Sequence, residues 1–535
     1  MTFEPIPYDI LEGFKHFLYA FLGFGLIILL LSMFVKRLSD GPEGSKQVLK
    51  HLKDGLFEVR SLSLKRILAI STLTFKESSR RKVFYVIALF ALLFMFANWF
   101  LSMSDQRADF QIEVYVSFVL TVISVLVIPI ILLLSCWGIP EDIRLRSLHT
   151  VVTKPTHRME IVIGRIFGFV SVGTILLLIM GTVGYIWLLR ALPTEAQSSL
   201  TCRVPVYGQL SFINEEGEET KRGVNTGDEW DFRSYIQGAT RARAIWTFDD
   251  IDEGSLPTDK PLLVETRFEG FRTHKGTISD TLQIEMTLVN NDNDARVRLT
   301  PYSLEEYTFN KIEIPQELRV YDQEKEEFID YNLHQDILTA DSFSIEVRCL
   351  DAGQYIGMAT PDLFIRMPDR NFYVGYMKAI FGQWLLLVLI VSIAVSLSCM
   401  VKGPIATLAT LSLLMISFMF SETLNEQVTG RAIGGGPMES LYRMVEQTNE
   451  TSRLPDTYVA QTVLAIDPIF SNMLWIVKHI IPDMSSFSMT EYLAKGFDVS
   501  NTAAIFPSIA VTLSYFIVSV LIGYYCLKLR ELESK

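Results

Sequence analysis

The stretch Val114–Trp137 reads VYVSFVLTVISVLVIPIILLLSCW and contains no Asp, Glu, His, Lys or Arg. Its length exceeds the roughly 20 residues that a helix needs to cross a bilayer. Six further apolar stretches are equally free of these residues, and most have a similar length: Phe17–Val35, Val83–Met103, Ile166–Leu189, Ala379–Val401, Ile405–Phe420 and Ile505–Cys526. We therefore predict an α-helical polytopic membrane protein with about seven transmembrane helices.

The missing charges also bear on how the protein would be driven. Proton- and ion-driven carriers need titratable groups at membrane depth, because a relay has to hold and release charge there. None lies in these seven stretches. We therefore expect the energy for any transport to come from outside the membrane; helices that serve only as a scaffold are the alternative.

Charge is distributed unevenly along the 535 residues, whose net charge is −12. The block Ala191–Phe372 has 34 acidic and 18 basic residues, a net charge of −16, which leaves about +4 for the rest. An acidic domain repels nucleic acid, so we expect no DNA or RNA partner.

Lys and Arg near the helix ends predict the orientation, since they are enriched on the cytoplasmic side. Lys36–Lys82 has 12 basic and 5 acidic residues, and Gly138–Arg165 is also basic. These two segments, Val401–Pro404 and the C-terminus are predicted to face the cytoplasm. The N-terminus, the acidic block and Ser421–Asn501 are predicted to face outward.

The N-terminal part divides into two predicted regions. Residues 1–37 form a retained membrane anchor rather than a signal peptide, because acidic residues precede a long apolar core and no small-x-small cleavage site follows closely. Residues 38–82 form a turn-rich linker and then an amphipathic helix, Ser61–Lys82, with its basic residues near lipid phosphates. A contact of this helix with a cytoplasmic partner is the alternative.

The acidic block changes to a strand-like period. In Thr281–Val289 and Ser342–Arg348 apolar and polar residues alternate, and Leu262–Phe268 and Tyr307–Ile314 are further strand candidates. The pattern predicts an extracytoplasmic antiparallel β-sandwich over residues 191–372. An oxidising compartment would let Cys202 and Cys349 form a disulfide; two separate buried thiols are the alternative.

The remaining boundaries follow from the apolar stretches. Residues 83–190 form the first half of the membrane core with a cytoplasmic loop at 138–165, residues 373–420 form helices four and five, and residues 505–535 form the last helix and tail. Residues 421–504 form an outward loop. Within it Val463–Ile481 is apolar, but Asp467 and Lys478 argue against an eighth crossing, so we predict short helices in or on the outer leaflet.

Searches for catalytic motifs find nothing. The chain has no G-x-x-x-x-G-K-[ST], H-E-x-x-H, C-x-x-C or G-x-S-x-G, so we predict neither an enzyme nor a cofactor or metal site. Gly164-x-x-x-Gly168 has the spacing that lets two helices pack closely.

The most informative loop is Ile139–Arg158, which reads IPEDIRLRSLHTVVTKPTHR. It combines acidic and basic residues with an apolar centre and a Lys154-Pro155 break before the next helix. These features are typical of a short amphipathic helix on the cytoplasmic face that stops at the Lys-Pro pair. A basic turn that obeys the positive-inside rule is the alternative.

This loop resembles the signature of the permease subunits of type-2 ATP-binding-cassette exporters. The family's acidic pair, Lys-Pro and following Arg and Gly-Arg match in order at Glu141, Asp142, Ser147, Lys154, Pro155, Arg158, Gly164 and Arg165. Arg146-Ser147 replaces the family's Gly-Thr pair. Phe75-Lys76-Glu77 and Val401–Thr407 resemble further landmarks, and the β-rich insertion resembles a bacterial subgroup. The resemblance covers about 61–190 and 370–533.

The resemblance implies a function and partners. A separate ATPase subunit would bind the ATP and dock on Gly138–Arg158, a second permease copy or paralogue would complete the transporter, and the bacterial cytoplasmic membrane would hold both. Glu141, Asp142, Arg146, Lys154 and Arg158 are the expected coupling contacts. Pro155 and Gly164 would set the turn, and Arg165 completes the candidate set.

A protein of another class is the alternative. A non-transporting sensor or tether would use the extracytoplasmic β-domain to bind a ligand or partner. The sequence does not name a cargo, although uncharged helices are compatible with a lipid-like or amphipathic one.

Overall fold

The structure is a computed structural model. It describes residues 9–81, 83–101, 108–144, 156–220, 223–224, 233–249, 261–272, 281–292, 295–306, 308–322, 327–338, 342–429, 435–449, 454–455, 457–484 and 487–533. The chain divides into two compact units. The β-rich unit covers Thr201–Phe372, and the helical unit combines Pro7–Leu200 with Tyr373–Lys535.

The helical unit is built almost entirely from long α-helices. They are α1 (Ile10–Asp40), α2 (Pro42–Arg60), α3 (Leu64–Arg80), α4 (Tyr85–Phe100), α5 (Ala108–Arg144), α6 (Arg158–Ala191), α7 (Thr194–Ser198), α8 (Phe372–Met400), α9 (Gly403–Thr429), α10 (Pro437–Glu446), α11 (Tyr458–Ile480), α12 (Met489–Ala494) and α13 (Phe506–Glu533).

Seven segments of the described residues are long and apolar enough to cross a membrane, so the chain is a multi-pass membrane protein. They are Ile10–Leu38, Phe110–Arg144, Arg158–Ala191, Phe372–Met400, Gly403–Phe420, Tyr458–Lys478 and Asn501–Lys528. The number of candidate spans agrees with the prediction, but the set of helices that form them differs. Tyr458–Lys478 enters the set, whereas the predicted span Val83–Met103 contains a shorter apolar helix, Tyr85–Ala97.

The prediction of short helices around Val463–Ile481 is wrong, because α11 is one continuous helix through this stretch. The charge that argued against it, Asp467, is buried and accepts a hydrogen bond from the Met438 backbone N–H at 2.7 Å. Asp467 thereby caps the N-terminus of α10, where backbone N–H groups have no partner within the helix. A Cβ on Gly436 would overlap the Asp467 carboxylate, so glycine is required there.

The linker predicted before Ser61 is also wrong over most of its length. Gly41 adopts a positive φ of 67° between α1 and α2, and Pro42 occupies the first turn of α2. Proline fits that position because its missing N–H would have no helical partner there. Gly41 and Pro42 therefore mark a helix boundary and not an irregular segment.

The helices extend beyond the uncharged stretches of the sequence. The spans include Glu113 in α5, Lys378 in α8 and Asp467 in α11. Lys378 is paired: its Nζ lies 3.1 Å from Asp498 Oδ1 and donates to the Val499 carbonyl at 2.8 Å. The inference that no titratable group lies along the spans therefore holds for the apolar stretches but not for the whole helices.

The β-rich unit consists of short antiparallel strands, as predicted. They are β1 (Thr201–Tyr207), β2 (Gln209–Ile213), β3 (Glu219–Thr220), β4 (Ser234–Gln237), β5 (Arg243–Asp249), β6 (Leu262–Thr266), β7 (Glu269–Arg272), β8 (Leu282–Asn290), β9 (Arg296–Arg298), β10 (Tyr302–Leu304), β11 (Asn310–Ile314), β12 (Glu317–Asp322), β13 (Glu327–Asn332), β14 (Ser342–Cys349), β15 (Gln354–Met358) and β16 (Leu363–Asn371).

These strands form four sheets in the described part of the chain. The largest has the order β10-β8-β14-β5-β2-β3 with β9 beside β8, and a second has the order β1-β16-β6-β11. The strands β4-β15-β7 and β12-β13 form two smaller sheets. Along β8 the apolar residues alternate inward, and the two larger sheets share one hydrophobic core that contains Trp246. The strands predicted from the alternating pattern are confirmed.

The possible disulfide between Cys202 and Cys349 is not formed, and the alternative of two separate buried thiols is what the structure has. Cys202 lies on β1 and Cys349 on β14, which belong to different sheets, and both side chains are buried. The two cysteines behave here as small apolar core residues.

Candidate functional site: charged ends of three helices

The predicted coupling loop is flanked by two long helices. α5 ends at Arg144 after continuing through Pro140, and α6 begins at Arg158 after the N-cap residue His157. A third helix, α3, packs along α6. The site is therefore assembled from the loop-side ends of α5 and α6 and from α3 beside them.

A charged cluster joins these three helices. We define it as Glu77 of α3 and the C-cap residue Arg81 that follows it, Glu141 and Asp142 of α5, and Arg165 of α6. Arg165 bonds to Asp142, and its Nη1 donates to Glu77 Oε2 at 2.9 Å. Arg81 Nη2 lies 2.9 Å from Glu77 Oε1 and 2.8 Å from Glu141 Oε2. Each of the three helices is thus linked to the other two by ion pairs.

The cluster is partly removed from solvent. The Arg165 and Asp142 side chains are only 8% and 10% exposed, whereas Glu77 and Arg81 are about one-third exposed. Burial raises the pKa of Glu77, but the hydrogen bond and charge of Arg165, with Arg81, outweigh it and hold that pKa below its usual value. Carboxylates held ionised between guanidinium groups are suited to fixing helix positions and not to proton transfer.

A second polar contact ties α6 to the start of α3. The Glu160 side chain is fully buried and accepts from both Arg66 Nε and Nη2 at 2.7 Å. It also accepts from the backbone N–H of Ser63 at 2.8 Å and of His157 at 3.1 Å. Since Arg presents two parallel donors to a carboxylate, this geometry fixes orientation as well as distance.

Two glycines allow the close approach of α3 and α6. A Cβ on Gly164 would lie 2.7 Å from the Cβ of Ile70, and a Cβ on Gly168 would overlap Thr74. The close helix packing that the Gly164-x-x-x-Gly168 spacing predicted is therefore present, with α3 as the partner helix. We call this contact the glycine seam; it places α3 where Arg66 and Glu77 reach α6.

The structure brings together only part of the predicted set. Glu141, Asp142 and Arg165 belong to the charged cluster, and Gly164 belongs to the glycine seam. Arg158 is the first residue of α6. Arg146, Lys154 and Pro155 lie outside the described residues, as does most of the amphipathic helix predicted between Ile139 and Arg158.

Sequence reasoning missed Glu160 and Arg66 as a pair. Their side chains meet although they lie 94 residues apart in the chain. The available signal was local: Glu160 lies in the first turn of α6, where a carboxylate is favourable, and it completes a capping box with His157. Nothing in the sequence indicated that Arg66 would be its cation.

The site is a set of ion pairs between helices. Within the described ranges no group of three or more His, Cys, Asp or Glu residues could hold a metal ion. The carboxylates of the charged cluster each face a guanidinium. The ion pairs therefore hold α3, α5 and α6 together at these ends.

Comparisons with known proteins leave the family open. No protein-family model, no curated protein and no solved structure matches the chain.

Proposed function

We propose that the chain is the membrane-spanning permease subunit of an ATP-driven exporter of the ATP-binding-cassette type. A separate ATPase subunit would bind and hydrolyse ATP and would dock on the loop between α5 and α6. The observation that carries this proposal is the charged cluster, because it links three helices directly beside that loop.

The linkage explains how docking would move the membrane part. α5 and α6 are connected through the loop, and α3 follows α6 because the Glu160–Arg66 bonds and the glycine seam hold the two helices together. A displacement of the loop by an ATPase would therefore be shared by three helices and would not be absorbed by one flexible segment. Rigid elements of this kind can carry coupling between distant sites.

Charge distribution supports the orientation that docking requires. Basic residues are concentrated in Lys36–Lys82 and Gly138–Arg165, so the positive-inside rule favours a cytoplasmic α5–α6 loop. Both segments lie on that side only if the shorter helix α4 crosses the membrane together with α5. The acidic β-rich unit would then face outward from a bacterial cytoplasmic membrane as a two-layer sandwich. A second copy or paralogue of the chain would complete the pathway.

The first test is purification from cells in mild detergent, with mass spectrometry of the proteins that remain bound. A stoichiometric subunit with a phosphate-binding loop is the expected result. A preparation without any ATPase, repeated after cross-linking in cells, would overturn the proposal.

A charge exchange tests the role of the cluster. Glu141→Arg and Arg81→Glu are each expected to weaken ATPase association, since each leaves like charges facing one another. The double variant is expected to regain part of the association, because the pair is restored with reversed sign, although position 81 then faces Glu77 and position 141 faces Arg144 with like charge. Arg319→Glu, in an exposed pair of the β-rich unit, is the control that should change nothing. If Glu141 contacts the ATPase directly instead, the double variant will bind the ATPase as weakly as Glu141→Arg does.

One observation favours a second function. The β-rich unit has a hydrophobic core of its own, so it can act as an independent binding domain. A sensor or tether that binds an external ligand through this unit would have no bound ATPase, and the purification separates the two functions.

A further inference from the structure

A cavity opens on one face of α5, at the end of the helix away from the charged cluster. Its volume is about 420 Å³, within the range of small-molecule sites. It is lined by Leu101, Phe110, Glu113, Val114, Ser117, Phe118, Thr121 and Val122.

The cavity has a polar line between apolar flanks. Glu113, Ser117 and Thr121 are spaced four residues apart on α5, so they follow one another along a single face. The rise of 1.5 Å per residue separates the first from the last by about 12 Å. Phe110, Val114, Phe118 and Val122 complete the face with apolar side chains. One carboxylate, two hydroxyls and an apolar surface thus lie in order along the helix.

The wall of the cavity is preformed. Phe118 packs against Phe94, with ring centroids 5.6 Å apart, and Phe94 meets Trp187 edge-on at 4.8 Å. Tyr115 stacks on Trp187, and its hydroxyl donates to the Leu101 carbonyl at 3.1 Å, which fastens the end of α4 to α5. A ligand would therefore enter a shaped surface and would not have to order it first.

The charge of Glu113 selects among ligands. Among the described residues no Lys or Arg forms an ion pair with it. The residue lies near the start of the candidate span Phe110–Arg144, where the head groups of lipids would be. A carboxylate there attracts a cation and repels the phosphate or sulfate of an anionic amphiphile.

We propose that this cavity binds an amphiphile with an ammonium head group. The ammonium pairs with Glu113, hydrogen-bonding groups below it meet Ser117 and Thr121, and the hydrocarbon chain lies against Phe118 and Val122. A transmembrane helix of another protein would fill the apolar part but would leave the carboxylate without a cation. The site stands apart from the proposed function, since binding here requires no ATPase.

Trp187 offers a direct readout, because it lies behind Phe118 with ring centroids 6.3 Å apart. The full chain in nanodiscs of zwitterionic lipid is titrated with an alkylammonium whose chain carries bromine, a short-range quencher of tryptophan fluorescence. An alkylsulfate with the same brominated chain is the matched probe. Saturable quenching by the ammonium, at least about tenfold tighter than by the sulfate, is the expected result. Trp187→Phe should remove the saturable component.

Two variants test the assigned roles. Glu113→Gln should abolish the preference for the ammonium over the sulfate, and Val122→Phe should weaken both probes by filling the cavity. Glu491→Gln, on α12 and outside the cavity lining, is the control and should behave as the wild type. Thermal unfolding and gel filtration identify a variant that fails to fold.

Three results would overturn the proposal: equal affinity for both probes, an unchanged preference in Glu113→Gln, or quenching that rises linearly without saturation as bulk lipid exchange would produce. Adding the ATPase separates this inference from the proposed function. Saturable binding without a bound ATPase would support the amphiphile site and contradict the proposed exporter function. A bound ATPase without saturable quenching would support the exporter function and contradict the amphiphile site.

Discussion

Two groups of buried ion pairs, one in each unit, use the same chemistry on different frameworks. In the β-rich unit Glu265 pairs with Arg203 at 2.9 Å and with Arg366. These residues lie on β6, β1 and β16, which are neighbours in one sheet and are already fixed by backbone hydrogen bonds. In the charged cluster Asp142, Arg165 and Glu77 connect three helices that share no backbone ladder.

An ion pair fixes the position of an element most strongly where no backbone ladder already sets that position. Loss of Glu265 leaves the register of the sheet intact, because the ladder remains. Loss of Asp142 removes its ion pair with Arg165, and no backbone ladder joins α5 to α6 in its place. We therefore expect similar losses of stability in the two units but a loss of ATPase association only from the helices.

The largest effect should come from removing one buried partner. Asp142→Ala and Glu265→Ala each leave a buried guanidinium with one carboxylate fewer, and each is expected to lower the free energy of unfolding of its unit by about 3–5 kcal/mol. Only Asp142→Ala should reduce co-purification of the ATPase. Asp330→Ala, in an exposed pair, should stay within about 0.5 kcal/mol of the wild type. Equal loss of the ATPase in both buried variants would contradict the comparison.

A smaller effect is expected from opening the glycine seam. Gly168→Val forces α3 away from α6 and should cost about 1–3 kcal/mol, the range for overpacked cores. Ser71→Cys, at a buried seam position, should then react with maleimide, although it is protected when Gly168 is present. Gly25→Val is the matched control, because a Cβ at Gly25 meets nothing within 4 Å. Continued protection of Ser71→Cys beside Gly168→Val would show that the seam is not tight.

The charged cluster should also depend on pH in one direction. Because the pKa of Glu77 is lowered in the folded protein, its ionised form contributes stability above the ordinary glutamate pKa of about 4.3. That contribution is lost as the pH falls through the lowered value. Unfolding of wild type and Glu77→Gln, measured between about pH 3 and 7, should differ most at neutral pH and converge in acid. A difference that grows in acid would refute this sign.

The smallest perturbation reports on the β-rich unit alone. Burial raises the pKa of the Cys349 thiol to about 11, so little thiolate exists at neutral pH. With the other cysteines replaced by Ala, iodoacetamide should modify Cys349 slowly until the unit unfolds in urea. Ser303→Cys, at an exposed position of the same sheet, should react at once. Rapid modification of Cys349 in the native protein would mean that the core opens locally.

Local patterns predicted the regular parts of the fold. The alternation in Thr281–Val289 and Ser342–Arg348 identified β8 and β14, because one buried face imposes a period of two. Long uncharged stretches identified most spans, because crossing a bilayer requires a continuous apolar length. The error at α11 came from treating Asp467 as a solvated charge, since a single sequence does not reveal that it caps α10.

The candidate site was predictable only in part. Glu141, Asp142 and Arg165 were identified by the resemblance of their order and spacing, and Gly164 by the same motif. Their partners Glu77 and Arg81 lie in α3 and directly after it, far away in the chain, as does Arg66, the partner of Glu160. Such pairings depend on helix packing, which no local period encodes.

The cap that Asp467 provides has a consequence for biosynthesis. α10 is synthesised before α11, so its free N–H groups are already available when Asp467 leaves the ribosome. A carboxylate in an apolar helix is costly to insert, and the capping bond to Met438 offsets part of that cost only if both helices are present. We therefore expect α10 and α11 to insert as a pair, and a chain truncated between them would leave the N-terminus of α10 without its carboxylate cap.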